Sequence, residues 1–308
     1  KACVRGEPSL RGCNPLRVRP LTNVRDTATG AVMQVGFLTA PFGGEPLEKV
    51  VEFAARAGFD CLEVASGPGS KHFDFTVASD ADIAGVRRLF DDHSLRISSL
   101  AWYTDLVAPA TRQERAGQFR QLVDAAVKLG VDVVCTLGGM PVEGKDRFAT
   151  IEEDCRAAFT PLVEYAGEKG VKVALENWFA TNLQNLAHFQ RMFEVIPHAN
   201  YGLNFDPSHL VHQEIDYLKA VDHFKDRIFH THAKDTEIRY YQRAWIGTLN
   251  GGWWRYVIPG TGVIDWGQYI AHLRFAGYDG VLSIEHEDGK VGREQGMEIG
   301  LRHLKQFI

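Results

Sequence analysis

The sequence predicts an α/β protein of the (β/α)8 barrel class, and three observations carry that prediction. From Met33 onward, short apolar runs alternate with helix-like segments through eight repeats, the pattern of a parallel sheet crossed over by helices. Several helix-like segments stop at a glycine just before the next apolar run, at Gly58, Gly130, Gly170 and Gly277, as left-handed helix caps followed by tight returns would. The last four apolar runs each end on a side chain able to bind a metal. A doubly wound open sheet competes with the barrel. However, Gly36-Phe37-Leu38-Thr39-Ala40-Pro41 does not fit the glycine-rich phosphate turn that such a sheet carries after its first strand. The barrel is preferred.

The chain has 308 residues, enough for one such barrel of about 250. With 45% hydrophobic and 24% charged residues it can bury a sizeable core. A net charge of −5 argues against a nucleic-acid partner, and no run approaches the roughly 20 apolar residues of a membrane span. The five cysteines (Cys3, Cys13, Cys61, Cys135 and Cys155) show no C-x-x-C spacing, so reduced thiols and a cytoplasmic location are expected. Residues 1–32 hold Arg5, Arg11, Arg17, Arg19 and Arg25 without periodicity, and lack the apolar segment of a secretory signal. They read as an extension outside the folded domain, non-native or flexible, with Met33 as the natural start. The alternative is an arm used in oligomer contacts. One catalytic domain is expected over 33–308.

Met33-Gln34-Val35-Gly36-Phe37-Leu38 is the first strand, and Pro46 introduces a helix over 46–57. Strand two is Asp60-Cys61-Leu62-Glu63-Val64, with a helix over 80–92. Strand three is Arg96-Ile97-Ser98-Ser99-Leu100-Ala101-Trp102, with a helix over 112–129. Strand four is Asp132-Val133-Val134-Cys135-Thr136-Leu137, with a helix over 151–169. Strand five, Val171-Lys172-Val173-Ala174-Leu175, ends in Glu176-Asn177 and leads to a helix over 183–195. Strand six, Tyr201-Gly202-Leu203-Asn204-Phe205, stops at Asp206 because Pro207 has no N–H for a ladder; a helix over 214–223 follows. Strand seven, Arg227-Ile228-Phe229-His230-Thr231, ends in His232 and opens a long excursion, 233–263. A helix over 265–276, a strand Val281-Leu282-Ser283-Ile284 ending in Glu285, and a helix over 293–306 complete the domain.

Barrel chemistry sits at the C-terminal ends of the strands, where Glu176, Asp206, His232 and Glu285 lie on strands five to eight. Neighbouring strands are about 4.8 Å apart, so four adjacent tips can converge on one ion. An acid at a single strand end is usually a helix cap or a loop hydrogen bonder, but four in succession point to one divalent metal. Three oxygen donors and one imidazole suit Mn2+ first, then Mg2+ or Co2+, with Zn2+ less favoured in the absence of a thiolate. A metal chelating vicinal carbonyl and hydroxyl oxygens acidifies the carbon between them and stabilises the resulting enediolate. Glu176 and Glu285, one on each side of a bound sugar, can then remove and return the proton.

The runs Leu175-Glu176-Asn177, Asp206-Pro207-Ser208-His209, His232-Ala233-Lys234-Asp235 and Ile284-Glu285-His286-Glu287-Asp288 resemble the sugar phosphate isomerase/epimerase group of xylose-isomerase-like barrels. The resemblance runs from Met33 to the C-terminus and identifies the superfamily rather than a substrate. In the similar ketose 3-epimerases, the residues matching Glu176, Asp206, His232 and Glu285 bind the metal and the two glutamates exchange the proton. The residue matching His209 touches substrate oxygens. The resemblance also implies homo-oligomers. The similar abasic-site endonucleases carry additional histidines at earlier strand ends, which this sequence lacks. The excursion and the run at 232–237 further resemble the catalytic subunit of C-glycoside deglycosidases. That relation implies elimination from a 3-keto-glycoside and a small partner subunit. A metal-containing barrel that binds a sugar without catalysis is the non-enzymatic alternative.

Further residues are candidates for substrate contact. Lys234 reaches towards a substrate oxygen or is structural, and Asp235 orients a metal ligand through a hydrogen bond. Trp102 and Tyr103 wall the pocket at the tip of strand three. Glu63, read as the tip of strand two, bonds sugar hydroxyls or caps the next helix. Trp254 and Arg255 lie with Tyr240, Tyr241, Trp245 and Trp253 in the excursion, where aromatic faces stack on sugar or pack a lid. His72 lines the entrance or is an ordinary loop residue, and His286 packs behind its strand. His93, His188, His198, His212, His223, His272 and His303 have no assigned role.

Overall fold

The computed structural model describes residues 33–308, and the extension expected over 1–32 lies outside the described residues. Among the described residues ten strands form, and eight close into a parallel barrel. These eight are β1 (Gln34–Leu38), β2 (Cys61–Ala65), β3 (Arg96–Ala101), β4 (Val133–Leu137), β5 (Lys172–Glu176), β6 (Tyr201–Phe205), β7 (Ile228–Ala233) and, after two strands outside the barrel, β10 (Val281–Ile284). Around the barrel the order is β1-β10-β7-β6-β5-β4-β3-β2. The register from Gln34↔Val281 to Phe37↔Ile284 closes it. The strands that end in Glu176, Asp206, His232 and Glu285 are therefore four consecutive staves.

Local chemistry sets the helices between them. The helix Asp80–Asp92 starts at a reciprocal capping box, in which Ser79 accepts from Asp82 N–H and the Asp82 carboxylate accepts from Ser79 N–H. Asn185, Asp216 and Asp265 cap the helices Leu186–Val195, Tyr217–Phe224 and Trp266–Phe275 through first-turn N–H groups. Gly58 (φ 87°) and Gly130 (φ 75°) end their helices in the left-handed conformation, which fixes the tight return into the next strand. Helices and strands bury one continuous apolar layer between them. Phe37, Phe42, Phe53 and Phe59, for example, lock the first helix onto β1 with ring centroids as close as 4.8 Å.

The expected helix over 151–169 begins earlier, because Asp146 caps a short turn, Arg147–Ala149. That turn continues through a π segment, Thr150–Cys155, into the helix Arg156–Glu168. The excursion after β7 is more ordered than the sequence suggests. It contains an antiparallel pair, β8 (Asp235–Ile238) and β9 (Trp254–Val257), joined through the helix Tyr240–Ile246. Cys61, Cys135 and Cys155 are buried free thiols. Among the described residues no helix is long and apolar enough to cross a membrane.

Candidate metal centre and catalytic cleft

Each of the four strand ends delivers one donor atom to the same point. One ligand atom each from Glu176, Asp206, His232 and Glu285 lies within 4.8 Å of the others. His232 Nδ1 is 3.1 Å from Glu285 Oε2, 3.7 Å from Glu176 Oε1 and 3.9 Å from Asp206 Oδ2. The backbone holds these aims. The Asn177 side chain bonds both the N–H and the C=O of Asp206 at 2.8 Å, extending the β5–β6 ladder by one residue. Ser208 N–H then takes Asp206 Oδ1 at 2.8 Å and turns Oδ2 towards the cluster.

Asp206 Oδ2 and His232 Nδ1 are fully buried and make no aligned hydrogen bond among the described residues, their near neighbours being charged groups, Lys234 Nζ at 3.3 Å and Glu285 Oε2 at 3.1 Å. Orphaned buried polar atoms are costly, and here two of them point at one another's neighbours. Three carboxylate oxygens and one imidazole nitrogen complete a donor set that fits a divalent cation. Electrostatics agree. Burial alone would raise the Glu285 carboxyl, but the Lys234 ammonium and then His232 pull it below the usual range. Burial would likewise raise Glu176, and the His209 imidazole at 3.1 Å and then the His232 ring at 3.7 Å hold it down. Both glutamates are ionised at neutral pH, as ligands must be.

Above the cluster lies a cleft of about 490 Å³, lined by Tyr103, Leu137, Trp178, Phe179, Trp254 and Tyr256 on the apolar side, within the size range of small-ligand sites. Glu176, Glu285, Glu287, His209 and Lys234 reach it on the polar side. His209 Nε2 is 3.1 Å from Glu176 Oε1, and its Nδ1 is 2.6 Å from the Tyr256 hydroxyl. Lys234 is buried, with Nζ 2.7 Å from Glu285 Oε2, 3.3 Å from Asp206 Oδ2, and 4.4 Å from the centre of the Tyr256 ring.

The family model described as xylose isomerase-like TIM barrel matches residues 51–307, five-sixths of the chain. The chain belongs to that family. An uncharacterized protein of Bacillus subtilis (strain 168), YfiH, is 26% identical over 315 residues, covering 90% of this chain and 99% of that protein. An inosose dehydratase of Geobacillus thermodenitrificans (strain NG80-2) is 26% identical over 265 residues, covering 80% of this chain and 84% of the relative. Among solved structures, the IOLI protein with a binding zinc atom superposes with a TM-score of 0.72 at 20% identity, covering 90% of this chain and 99% of that one. A D-allulose 3-epimerase from Methylomonas sp. in complex with D-allulose superposes with a TM-score of 0.67, also at 20% identity, covering 90% and 98%.

Within this family member the other candidates fall into two groups. His209, Lys234, Tyr103 and Trp254 border the cleft. Glu63, Trp102, Arg255 and Asp235 do not. Glu63 lies in the middle of β2, fully buried beneath His232 and bonded to Tyr103 and Ser283, apart from the residues that line the cleft, and from mid-strand it caps no helix. The Trp102 indole packs against Phe75, with ring centroids 5.4 Å apart, and against Gly67. Arg255 stands opposite Glu237 in the β8–β9 register and is ion-paired to it and to Asp288, on the hairpin face away from Trp254 and Tyr256. Asp235 touches none of the four ligands. Its carboxylate collects the N–H groups of Thr236, Gly260, Gly262, Ile264 and the Trp266 indole, and so anchors the loop after β9.

His72 is buried between Thr39 Oγ1 (2.9 Å) and the Phe42 carbonyl (3.2 Å), and His286 is buried near the Gly292 carbonyl. Sequence reasoning missed Trp178, Phe179, Tyr256, Glu287 and His212. Burial pushes the His212 imidazole down to about 4, so it is neutral, and it stacks on Trp254 at 4.0 Å and 5° to brace the cleft wall. The period-two alternation Trp254, Arg255, Tyr256 was the available signal for Tyr256, once β9 is recognised as a strand.

Proposed function

We propose that this protein is a divalent-metal-dependent isomerase or epimerase acting on a keto sugar or a related cyclic polyol ketone, with Mn2+ as the preferred ion. The convergence of Glu176, Asp206, His232 and Glu285 on one point at the cleft floor supports this reading most directly. When bound, the ion would polarise a substrate carbonyl and so acidify the neighbouring C–H.

The chain's own residues supply the rest. Glu176 and Glu285, the two ligands from the outermost of the four staves, both border the cleft and are both ionised, so each can take a proton from carbon. Return of the proton by the opposite carboxylate inverts the carbon, which is epimerisation. Return to the adjacent carbon, with the hydroxyl proton passing to the former carbonyl oxygen, gives aldose–ketose isomerisation. His209 and Lys234, each within hydrogen-bond reach of one of these carboxylates, are placed to hold substrate oxygens.

A second reading is elimination of water or of an aglycone from a 3-keto-glycoside. Lys234 favours it, because an ammonium beside Glu285 can protonate a leaving oxygen, and the wall of Trp178, Phe179, Trp254 and Tyr256 suits a substituent larger than one sugar. The inosose dehydratase relative points the same way.

The test is solvent-deuterium incorporation, followed by NMR, into ketoses, inososes and 3-keto-glycosides with Mn2+-loaded protein. We expect deuterium on the carbon next to the carbonyl. Glu176→Gln and Glu285→Gln should each slow it by about 10²–10⁴-fold with the fold intact by circular dichroism. Release of water or aglycone would shift the assignment to elimination. Failure of exchange with every substrate would leave a sugar-binding barrel.

A further inference from the structure

A charged side chain in a barrel interior is costly unless something specific pairs with it. Glu63 is such a case, fully buried on β2 and facing inward at the level below the metal centre. Its Oε2 lies 3.2 Å from His232 Nε2 and accepts from Ser283 Oγ at 2.7 Å, while Oε1 accepts from the Tyr103 hydroxyl. The Tyr103 oxygen is itself 2.9 Å from His232 Nε2 and accepts from Asn204 Nδ2 at 2.9 Å. Asn204 is oriented in turn by His230, whose Nδ1 is 2.9 Å from Asn204 Oδ1 and whose Nε2 is 3.2 Å from Ser98 Oγ.

Glu63 Oε2 at 3.2 Å and the Tyr103 oxygen at 2.9 Å, whose own proton goes to Glu63, face His232 Nε2 as acceptors beside the Asn204 amide nitrogen at 3.0 Å. The carboxylate and the phenol oxygen hold a ring proton on Nε2, so that Nδ1 is the nitrogen left to serve as a ligand among Glu176, Asp206 and Glu285.

We infer that Glu63 is a positioning residue that sets the tautomer and orientation of His232 and thereby the protein's affinity for its divalent ion. The inference rests on the metal reading proposed above. It moves Glu63 from the substrate side of the site to its underside. A carboxylate behind a ligating imidazole makes that imidazole a stronger donor, and loss of such a partner typically weakens metal affinity by about 10- to 100-fold.

The experiment measures Mn2+ dissociation constants on EDTA-stripped full-length protein, by the EPR signal of free Mn2+, for wild type, Glu63→Gln, His232→Ala and the double variant. Glu63→Gln should bind Mn2+ about 10- to 100-fold more weakly than wild type. On the His232→Ala background the same substitution should change affinity by no more than about twofold, because the coupling runs through that ring. Glu63→Asp, which keeps the charge but withdraws it from Nε2, should also weaken binding, and it replaces Glu63→Gln if that variant does not fold. Equal affinities for wild type and the Glu63 variants, or the same loss with and without His232, would overturn the inference. Failure of the wild type to bind Mn2+ at all would instead overturn the metal reading itself.

Discussion

His232 Nδ1 stands 3.1 Å from Glu285 Oε2, while Nε2 of the same ring stands 3.2 Å from Glu63 Oε2. One imidazole is held between two carboxylates, one on the cleft side and one beneath. In the metal-free chain this arrangement attracts a proton to the ring. Burial would lower the His232 pKa, but Glu63 and then Glu285 raise it well above 6.5. A bound divalent ion would take the place of that proton.

The pH dependence of the metal-free protein follows. Burial would raise Glu63, yet His232 and His230 lower it from 4.5 to about 2, so its stabilisation is complete above pH 4.5 and lost as pH falls towards 2. The raised His232 pKa works in the opposite sense: its contribution is complete below 6.5 and lost as pH rises towards the folded value. Together the two groups contribute most between pH 4.5 and 6.5. Urea unfolding in EDTA should show the acid limb, and Glu63→Gln should remove on the order of 3 kcal/mol of that pH-dependent stability. An unchanged acid limb in the variant would contradict this assignment.

Lys234 places an ammonium inside the cluster, 2.7 Å from Glu285 and 3.3 Å from Asp206. Lys234→Met should destabilise the metal-free protein by about 3–5 kcal/mol, because buried carboxylates lose their counter-charge. A divalent ion replaces much of that charge. The rise in melting temperature on adding Mn2+, read by differential scanning fluorimetry, should therefore be larger in the variant than in wild type.

Asp235 serves the loop rather than the metal. An asparagine there would turn an N–H towards donors that now converge on the carboxylate, such as Gly260, Gly262 and the Trp266 indole on Oδ2. Asp235→Asn should cost about 3 kcal/mol and speed hydrogen exchange over the loop after β9, with Mn2+ affinity unchanged. Weaker Mn2+ binding would restore Asp235 to the metal centre.

Trp254 is held against His212 and faces the cleft. On the proposed mechanism, Trp254→Ala removes part of the apolar cleft wall and leaves Glu176 and Glu285 in place. KM should rise by about tenfold, equivalent to about 1.4 kcal/mol, with kcat for exchange little changed.

The four metal-capable residues were legible because each lies within a residue of the end of an apolar strand, and parallel strands deliver their C-terminal ends to one face. The helix returns at Gly58 and Gly130 were legible for the same local reason. Glu63 was not. Its strand is buried on both sides, so Cys61-Leu62-Glu63-Val64 reads as one apolar run broken by an acid, and strand length decides whether that acid is a tip or an interior group. The β8–β9 pair was hidden because its register is set across the intervening residues from Arg239 to Trp253, and neither strand has more than four residues. Arg255 faced the wrong way for the same reason, since facing follows from register. Trp178, Phe179 and His212 reach the cleft or its wall from loops and strand ends, where no periodicity announces them.

Calorimetric titration of EDTA-stripped protein with Mn2+ at two pH values tests the central claim most directly. The account predicts one ion per chain, proton release on binding as the ion displaces the His232 proton, tighter binding at the higher pH, and much weaker but still measurable binding in Asp206→Ala and His232→Ala. Wild-type affinity in both variants, or no binding by the wild type, would contradict it.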